Sequence, residues 1–370
     1  MIRLIKRMIP VLLILPVITG CWDQKMLKNT VFMSATAFQT AEDDEILTTT
    51  SIHSYTSKEQ QPVNKTFFVT ATSTRNAKIK LNQQMSGTVM TAKNKIFLIE
   101  DELAEKGLFQ IADVLYRTPE NPLNGKFVVV EENPQEILNL QKVGEELIGQ
   151  YLAGLIDTSE TSSVIPVETI QSMCTVLFDE GKGLVLPYMK LDKENHTAEI
   201  IGTALFHKDK FTGTTMDLAQ SKALLIMANR KDKKMDMSHK ITYKGEKLVV
   251  SYDVAETKAK MKIKKDLNHK VKAVLPVKVK IEISEFPHDH LYDTKLLKKV
   301  QTEITKHLQQ QSEDAAAKLQ EANCDFLGIG RELIAYHPSL WKKLKWEEDY
   351  PNILIKPEFS VEIIHHGITH

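Results

Sequence analysis

The pattern of apolar and polar positions changes character along the chain. Residues 8–18 are an uncharged, apolar run behind Arg3, Lys6 and Arg7. Further on, β-branched stretches mix with helical spacings. Residues 31–38, 47–55 and 66–71 predict strands, the first two joined as a hairpin through Asp43-Asp44. Residues 75–86 predict a helix with Ala77, Ile79, Leu81 and Met85 on one side. Short apolar strands follow at 96–99 and 127–130. Between them an acid-led helix starts at Glu100, where the helix dipole favours negative charge. Leu108, Ile111, Ala112 and Leu115 continue its apolar face. Pro134 starts a helix through Leu140, and 143–156 and 166–181 read as further helices.

Beyond residue 195 the pattern turns to long strands and one long helix. Strand character restarts at 197–206, and Asp217 is placed to cap a helix over 218–227. Residues 247–254 are a strand. Over 257–264, Lys258, Lys260, Lys262 and Lys264 alternate with Ala259, Met261 and Ile263, which predicts a strand with one basic and one apolar face. Asn268-His269 reads as its turn. Residues 276–284 repeat the alternation, with Val277, Val279, Ile281 and Ile283 inward and Lys278, Lys280 and Glu282 outward. Residues 294–322 form a long amphipathic helix, with Leu297, Val300, Ile304, Leu308, Ala315 and Leu319 on its stripe. Two shorter helices and a closing strand at 352–364 complete the chain.

The first twenty residues read as a secretory signal peptide, because a basic start, a short apolar run and small residues succeed one another. The run is too short to span a bilayer, whose core needs about 20 apolar residues. Ile18-Thr19-Gly20-Cys21 resembles a bacterial lipobox. The resemblance implies cleavage between Gly20 and Cys21, a diacylglycerol on the Cys21 thiol and an acyl group on its new amine. Two or three chains anchor lastingly where one gives marginal binding.

Composition narrows the function classes. The chain has 48 basic and 48 acidic residues in 370. Losing Arg3, Lys6 and Arg7 leaves 45 against 48, a net charge of −3, which is no nucleic-acid profile. Cys174 and Cys324 read as separate buried thiols; the other reading, for an exported protein, is a disulfide between them. His288-Asp289-His290 and His365-His366 are loop and tail residues rather than a metal site, since zinc wants three or four convergent ligands. No nucleophile elbow, Walker loop or metalloprotease motif occurs, so neither a cofactor nor an enzymatic activity is expected. The lysines at 258, 260, 262, 278 and 280 have two readings. One is a solvated sheet face. The other is a patch for anionic headgroups or an acidic partner loop.

Several stretches together carry a wider resemblance. Gly20-Cys21-Trp22-Asp23, Arg75-Asn76-Ala77 and Glu102-Leu103-Ala104 lie in the first half. The run Asp325-Phe326-Leu327-Gly328-Ile329-Gly330-Arg331, then His337-Pro338, Trp341-Lys342-Lys343, Tyr350-Pro351 and Val361-Glu362-Ile363 lie in the second. With these the chain resembles the Ger(x)C family, the lipoprotein C subunits of spore germinant receptors in Bacillus and relatives. His337, where the family more often has tyrosine, and the His365-His366 tail depart from that pattern. The resemblance implies a non-enzymatic, lipid-anchored subunit on the spore inner membrane. It would assemble with membrane-embedded A and B subunits in the response to nutrients. It also implies an elongated, multi-domain α+β body, with mixed sheets packed by helices. The expected division is a signal peptide at 1–20, one mixed α/β domain at 21–195 and a second at 196–370, the latter with a further division near 236. The competing reading is a substrate-binding lipoprotein of a transporter, which needs two similar lobes; no internal repeat supports it.

Overall fold

The computed structural model describes residues 30–54, 63–118, 121–243, 245–265, 271–287 and 293–365. The signal peptide, Cys21, the turn at 268–269 and His288 to His290 lie outside the described residues. Two large sheets organise the chain. The first contains β1 (Thr30–Thr40), β2 (Ile46–Ser54), β3 (Val63–Ala71), β4 (Thr88–Met90), β5 (Ile96–Glu100) and β6 (Lys126–Val130). After a separate small hairpin of β7 (Lys142–Val143) and β8 (Glu146–Leu147), it is completed by β9 (Leu184–Asp192), β10 (Thr197–His207) and β11 (Lys210–Met216). The order is β11-β10-β9-β6-β5-β1-β2-β3, with β4 beside the start of β1. Its centre, β1-β5-β6-β9, is parallel, and antiparallel hairpins extend both sides.

Helices cover both faces of this sheet. They are α1 (Thr74–Gln84), α2 (Asp101–Lys106), α3 (Phe109–Arg117), α4 (Pro134–Asn139), α5 (Ile148–Thr161) and α6 (Ile170–Leu177). Phe97, Phe127 and Val129 pack with Leu103, Ile111, Leu115 and Met173 of α2, α3 and α6 on one face. Leu98, Val128 and Val130 pack with Ile137, Leu152 and Ile156 of α4 and α5 on the other. This is why β5 and β6 are continuous apolar runs: a strand buried on both faces has no polar side to show.

The second sheet has one helical cover. Its strands are β12 (Asp236–Tyr243), β13 (Glu246–Ala259), β14 (Lys262–Lys265), β15 (Val271–Glu285) and β16 (Leu354–His365), with β16 parallel to β15. Helices α7 (Leu218–Met227) and α8 (Thr294–Glu321) pack on the inner face, against Val250, Tyr252, Val277, Val279 and Ile281. Asp217 caps α7 in a reciprocal box with Gln220. Leu296, Val300, Ile304, Leu308, Ala315 and Leu319 form the buried stripe of α8, which enters through Leu296 instead of Leu297. Helix α9 (Ile329–Tyr336), two single-turn helices at Pro338–Trp341 and Trp346–Asp349, and a 3-10 turn at Tyr350–Asn352 precede β16.

Three details differ from the sequence reading. The predicted helix at 143–156 is the β7–β8 hairpin followed by α5, because Gly144 takes a left-handed φ of 58° and turns the chain. The predicted helix at 166–181 shortens to α6, with Thr169 capping its start. The lysine strand is interrupted at Lys260-Met261, opposite Pro276, which has no N–H for the ladder. The register is the same on both sides of that gap, so the alternation survives it. Residue 195 lies in the β9–β10 hairpin, inside one sheet; the hydrogen-bonded sheet changes only between Met216 and Asp236. The polar stretch around 195 forms that hairpin's turn.

Candidate functional site

The signature residues of the second half meet a glycine pair of the first half. Asp325 is buried just before α9. Its Oδ1 accepts from the Ile329 N–H at 2.9 Å and its Oδ2 from the Gly330 N–H at 2.7 Å, so the carboxylate holds the helix start. Gly328 precedes that helix with φ 74°, a conformation that favours glycine. Burial pushes the Asp325 carboxyl up to about 7, against the pull of the backbone N–H donors at 328, 329 and 330.

The loop leading into β9 and the start of α9 touch backbone to backbone here. A Cβ on Gly330 would lie 2.6 Å from the Gly181 Cα, and one on Gly183 would lie 2.6 Å from the Asp325 N. The close approach permits cross-links: Gly183 N–H donates to the Asp325 carbonyl at 2.8 Å, and Arg331 N–H to the Gly181 carbonyl at 3.2 Å. The Cys324 thiol donates to the Leu184 carbonyl at 3.3 Å. Burial pushes that thiol up to about 12, and both described cysteines are free. Tyr350 O–H donates to the Cys324 carbonyl at 2.9 Å, and Trp346 packs tilted between Tyr350 and Trp341 with ring centres 5.4 and 5.3 Å away.

Ion pairs frame the lock. Arg331 pairs with Asp179 at 3.0 Å, and Lys208 pairs with Glu347. Arg230 pairs with the buried Glu168 at 2.6 Å while its guanidinium lies 4.8 Å above the Phe326 ring. None of these groups forms a nucleophile–base arrangement. Among the described residues no three His, Cys, Asp or Glu converge as metal ligands. Gly328 lies in the tight link between α8 and α9. The partnership of Gly330 with Gly181 was not legible, because a small residue does not name the residue it lies against.

The second candidate is the outer face of the second sheet. Lys258 stands directly opposite Lys278, and Lys264 opposite Lys272. Lys260 and Lys262 continue the same exposed row. Lys280 belongs to the face but pairs with Glu256 at 2.8 Å, which holds its ammonium above the usual lysine range. Lys356 on β16 likewise pairs with Glu358 at 2.9 Å. Thus Lys258, Lys260, Lys262 and Lys278 carry uncompensated charge among the described residues, and Lys280 does not. No described helix is long and apolar enough to cross a membrane.

Comparison with known proteins follows the same two halves. The family model described as spore germination protein N-terminal domain matches residues 23–191. The model described as spore germination B3/GerAC like, C-terminal matches residues 201–367. The chain is 21% identical to spore germination protein GerQC of Bacillus cereus, over 98% of this chain and 99% of that one. It is 22% identical to spore germination protein KC of Bacillus subtilis (strain 168), over 97% and 94%. Its fold resembles the crystal structure of the GerBC protein, with a TM-score of 0.55, 16% identity and coverage of 89% of this chain and 96% of that one.

Proposed function

Because the chain belongs to the family of GerAC-like spore germination proteins, we propose that it is the lipid-anchored C subunit of a spore germinant receptor. It acts by assembly with membrane-embedded A and B subunits in nutrient-triggered germination, not by catalysis. The observation that carries this reading is the reach of the match, which takes in both halves joined by the glycine lock. The two sheets differ in strand order and cover, which speaks against a pair of like lobes closing on a transported substrate.

In this reading Cys21 carries the lipid and pins the body to the outer face of the spore inner membrane. The lysine face then lies within reach of anionic headgroups, where each uncompensated lysine near the surface contributes about 1 kcal/mol. Cys21→Ala tests the anchor. The variant is expected to leave the membrane fraction, to lack the acyl mass on intact-mass measurement, and to slow nutrient-triggered germination. Full germination with soluble, unlipidated protein would overturn the proposal. Charge reversal at Lys260, Lys262 and Lys278 tests the face, by binding to anionic vesicles at low salt.

A further inference from the structure

The outer strands of a sheet carry backbone N–H and C=O groups that no neighbouring strand uses, and such edges invite pairing with another chain. This protein meets most of its edges with its own side chains. β11 lies against α2 and α8, and Lys318 Nζ donates to the Thr215 carbonyl at 2.6 Å. On β12, Lys222 Nζ donates to the Asp236 carbonyl at 2.5 Å. On β16, the Gln309 side-chain amide donates to the Pro357 carbonyl at 2.8 Å and accepts from the Phe359 N–H at 3.0 Å. A residue of a neighbouring parallel strand would make the same two bonds, so Gln309 fills that strand's place. β14 carries the exposed Lys262, Lys264 and Lys265, whose charge repels a like strand.

β3 is treated differently. It stands last in the first sheet and pairs with β2 alone among the described residues. Its run Thr66-Phe67-Phe68-Val69-Thr70-Ala71 holds no charge, and all but Ala71 are β-branched or aromatic, a composition that pairs readily. Lys65 is the one charged residue of the strand. On one face, Val69 and Ala71 pack with Ala77 and Leu81 of α1, which leans inward toward Met33 and Val89 and leaves the edge clear. At the strand's end Lys80 Nζ covers the Thr70 carbonyl at 2.6 Å. Phe68 lies on the other face and is 60% exposed.

We propose that β3 is an interface strand whose occupant is the β3 of a second copy of this chain, laid antiparallel about a two-fold axis at Phe68. A two-fold contact needs a surface that complements itself, and β3 does so in this register. Phe68 meets the partner's Phe68, which takes two exposed rings out of water as a cross-strand aromatic pair. Phe67 stands opposite the partner's Val69, and Lys65 opposite the partner's Ala71, so no like charges face each other. The first sheets of the two copies then run on as one. A single strand pair falls short of the roughly 1,200 Å² that a stable interface buries, so the association is weak and reversible in dilute solution. It needs neither the lipid anchor nor another subunit.

Cross-linking with a short bismaleimide reads the register, on the full chain in detergent with Cys174→Ala as background; Cys324 is buried. Opposed residues of an antiparallel pair lie about 5 Å apart at Cα, so Phe68→Cys is expected to give a covalent dimer. The two Lys65 positions would lie about 20 Å apart along the strands, so Lys65→Cys is expected to give little. Sedimentation over a concentration series is expected to show a reversible dimer. Phe68→Lys, which loses the ring pair and opposes two like charges, should weaken it about tenfold. The melting temperature should stay as it was, because Phe68 is exposed in the single chain. One species at every concentration would overturn the proposal. So would equal cross-linking at Phe68 and Lys65, or a dimer untouched by Phe68→Lys. The same cross-linking on membranes gives a further check: a Phe68→Cys adduct with a different protein, in place of the second copy, would assign the edge to a foreign strand and overturn the pairing.

Discussion

The two sheets of this protein are built from similar elements but treated differently by their surroundings. The first is covered by helices on both faces, and its strands β5 and β6 are continuous apolar runs. The second is covered on one face, and its strands alternate. The difference teaches where each can act. The doubly covered sheet can offer a partner only its edges and loops. The singly covered sheet leaves a broad face whose side chains are set by strand register. Between them lie a shared side-chain core, where Val185, Leu205 and Met216 meet α7 and α8, and a contact of a third kind in which glycines let backbones meet.

The comparison breaks most severely at that contact. Gly330→Ala pushes a methyl into the Gly181 backbone, where no rotamer change relieves the clash. A loss of about 3 kcal/mol in urea unfolding is expected. Val185, Leu205 and Met216 of the first sheet also share the core of α7 and α8, so the variant is expected to unfold in one step at a lower urea midpoint. An unchanged midpoint would show that the backbone contact contributes little to the union of the two halves.

Asp325 probes the same contact through pH. Its folded carboxyl titrates near 7, above the ordinary carboxylate range. From about pH 4 to 7 the unfolded chain ionises here before the folded one does. This group's contribution therefore falls as pH rises across that window and then levels off. Asp325→Asn removes that slope. It also gives up one charge-assisted acceptor for the helix N–H groups, a cost of about 2 kcal/mol at neutral pH. Urea midpoints from pH 4 to 8 measure both.

On the singly covered sheet the titration runs the other way. His239 of β12 stacks on His307 of α8, ring centres 3.9 Å apart. Burial, and then His239, push His307 down to about 4; burial lowers His239 too, against Glu303. Below about pH 6.5 the unfolded chain takes up protons that the folded stack refuses. Stability is therefore lost as pH falls toward 4. His307→Phe keeps the ring and is expected to flatten that acid limb by up to about one proton. An unchanged slope would remove the stack from the account.

How much of this was legible in the residues follows from the range of each signal. The lysine alternation and the stripe of α8 are local periodicities, and both faces came out where the period puts them, Lys280's pairing aside. The Asp325-to-Arg331 run was legible as a family mark but not as a lock, since Gly181 and Gly330 lie far apart in sequence. The polar stretch at 195 is the β9–β10 turn, and the two family models part at 191 and 201, on either side of it.

The smallest expected effect falls on the open face. Lys258 and Lys278 stand opposite each other, and like charges in such a pair are destabilising. Lys278→Glu replaces repulsion with attraction, so stability should rise by about 0.5 kcal/mol at low salt. The gain should fade as salt screens it. If the face meets anionic headgroups, the same substitution weakens vesicle binding while the fold strengthens. That opposition separates a working surface from a merely solvated one: a face that only keeps the sheet soluble would gain stability and lose no binding. The buried lock permits no such separation, since there any change in fit is also a change in fold.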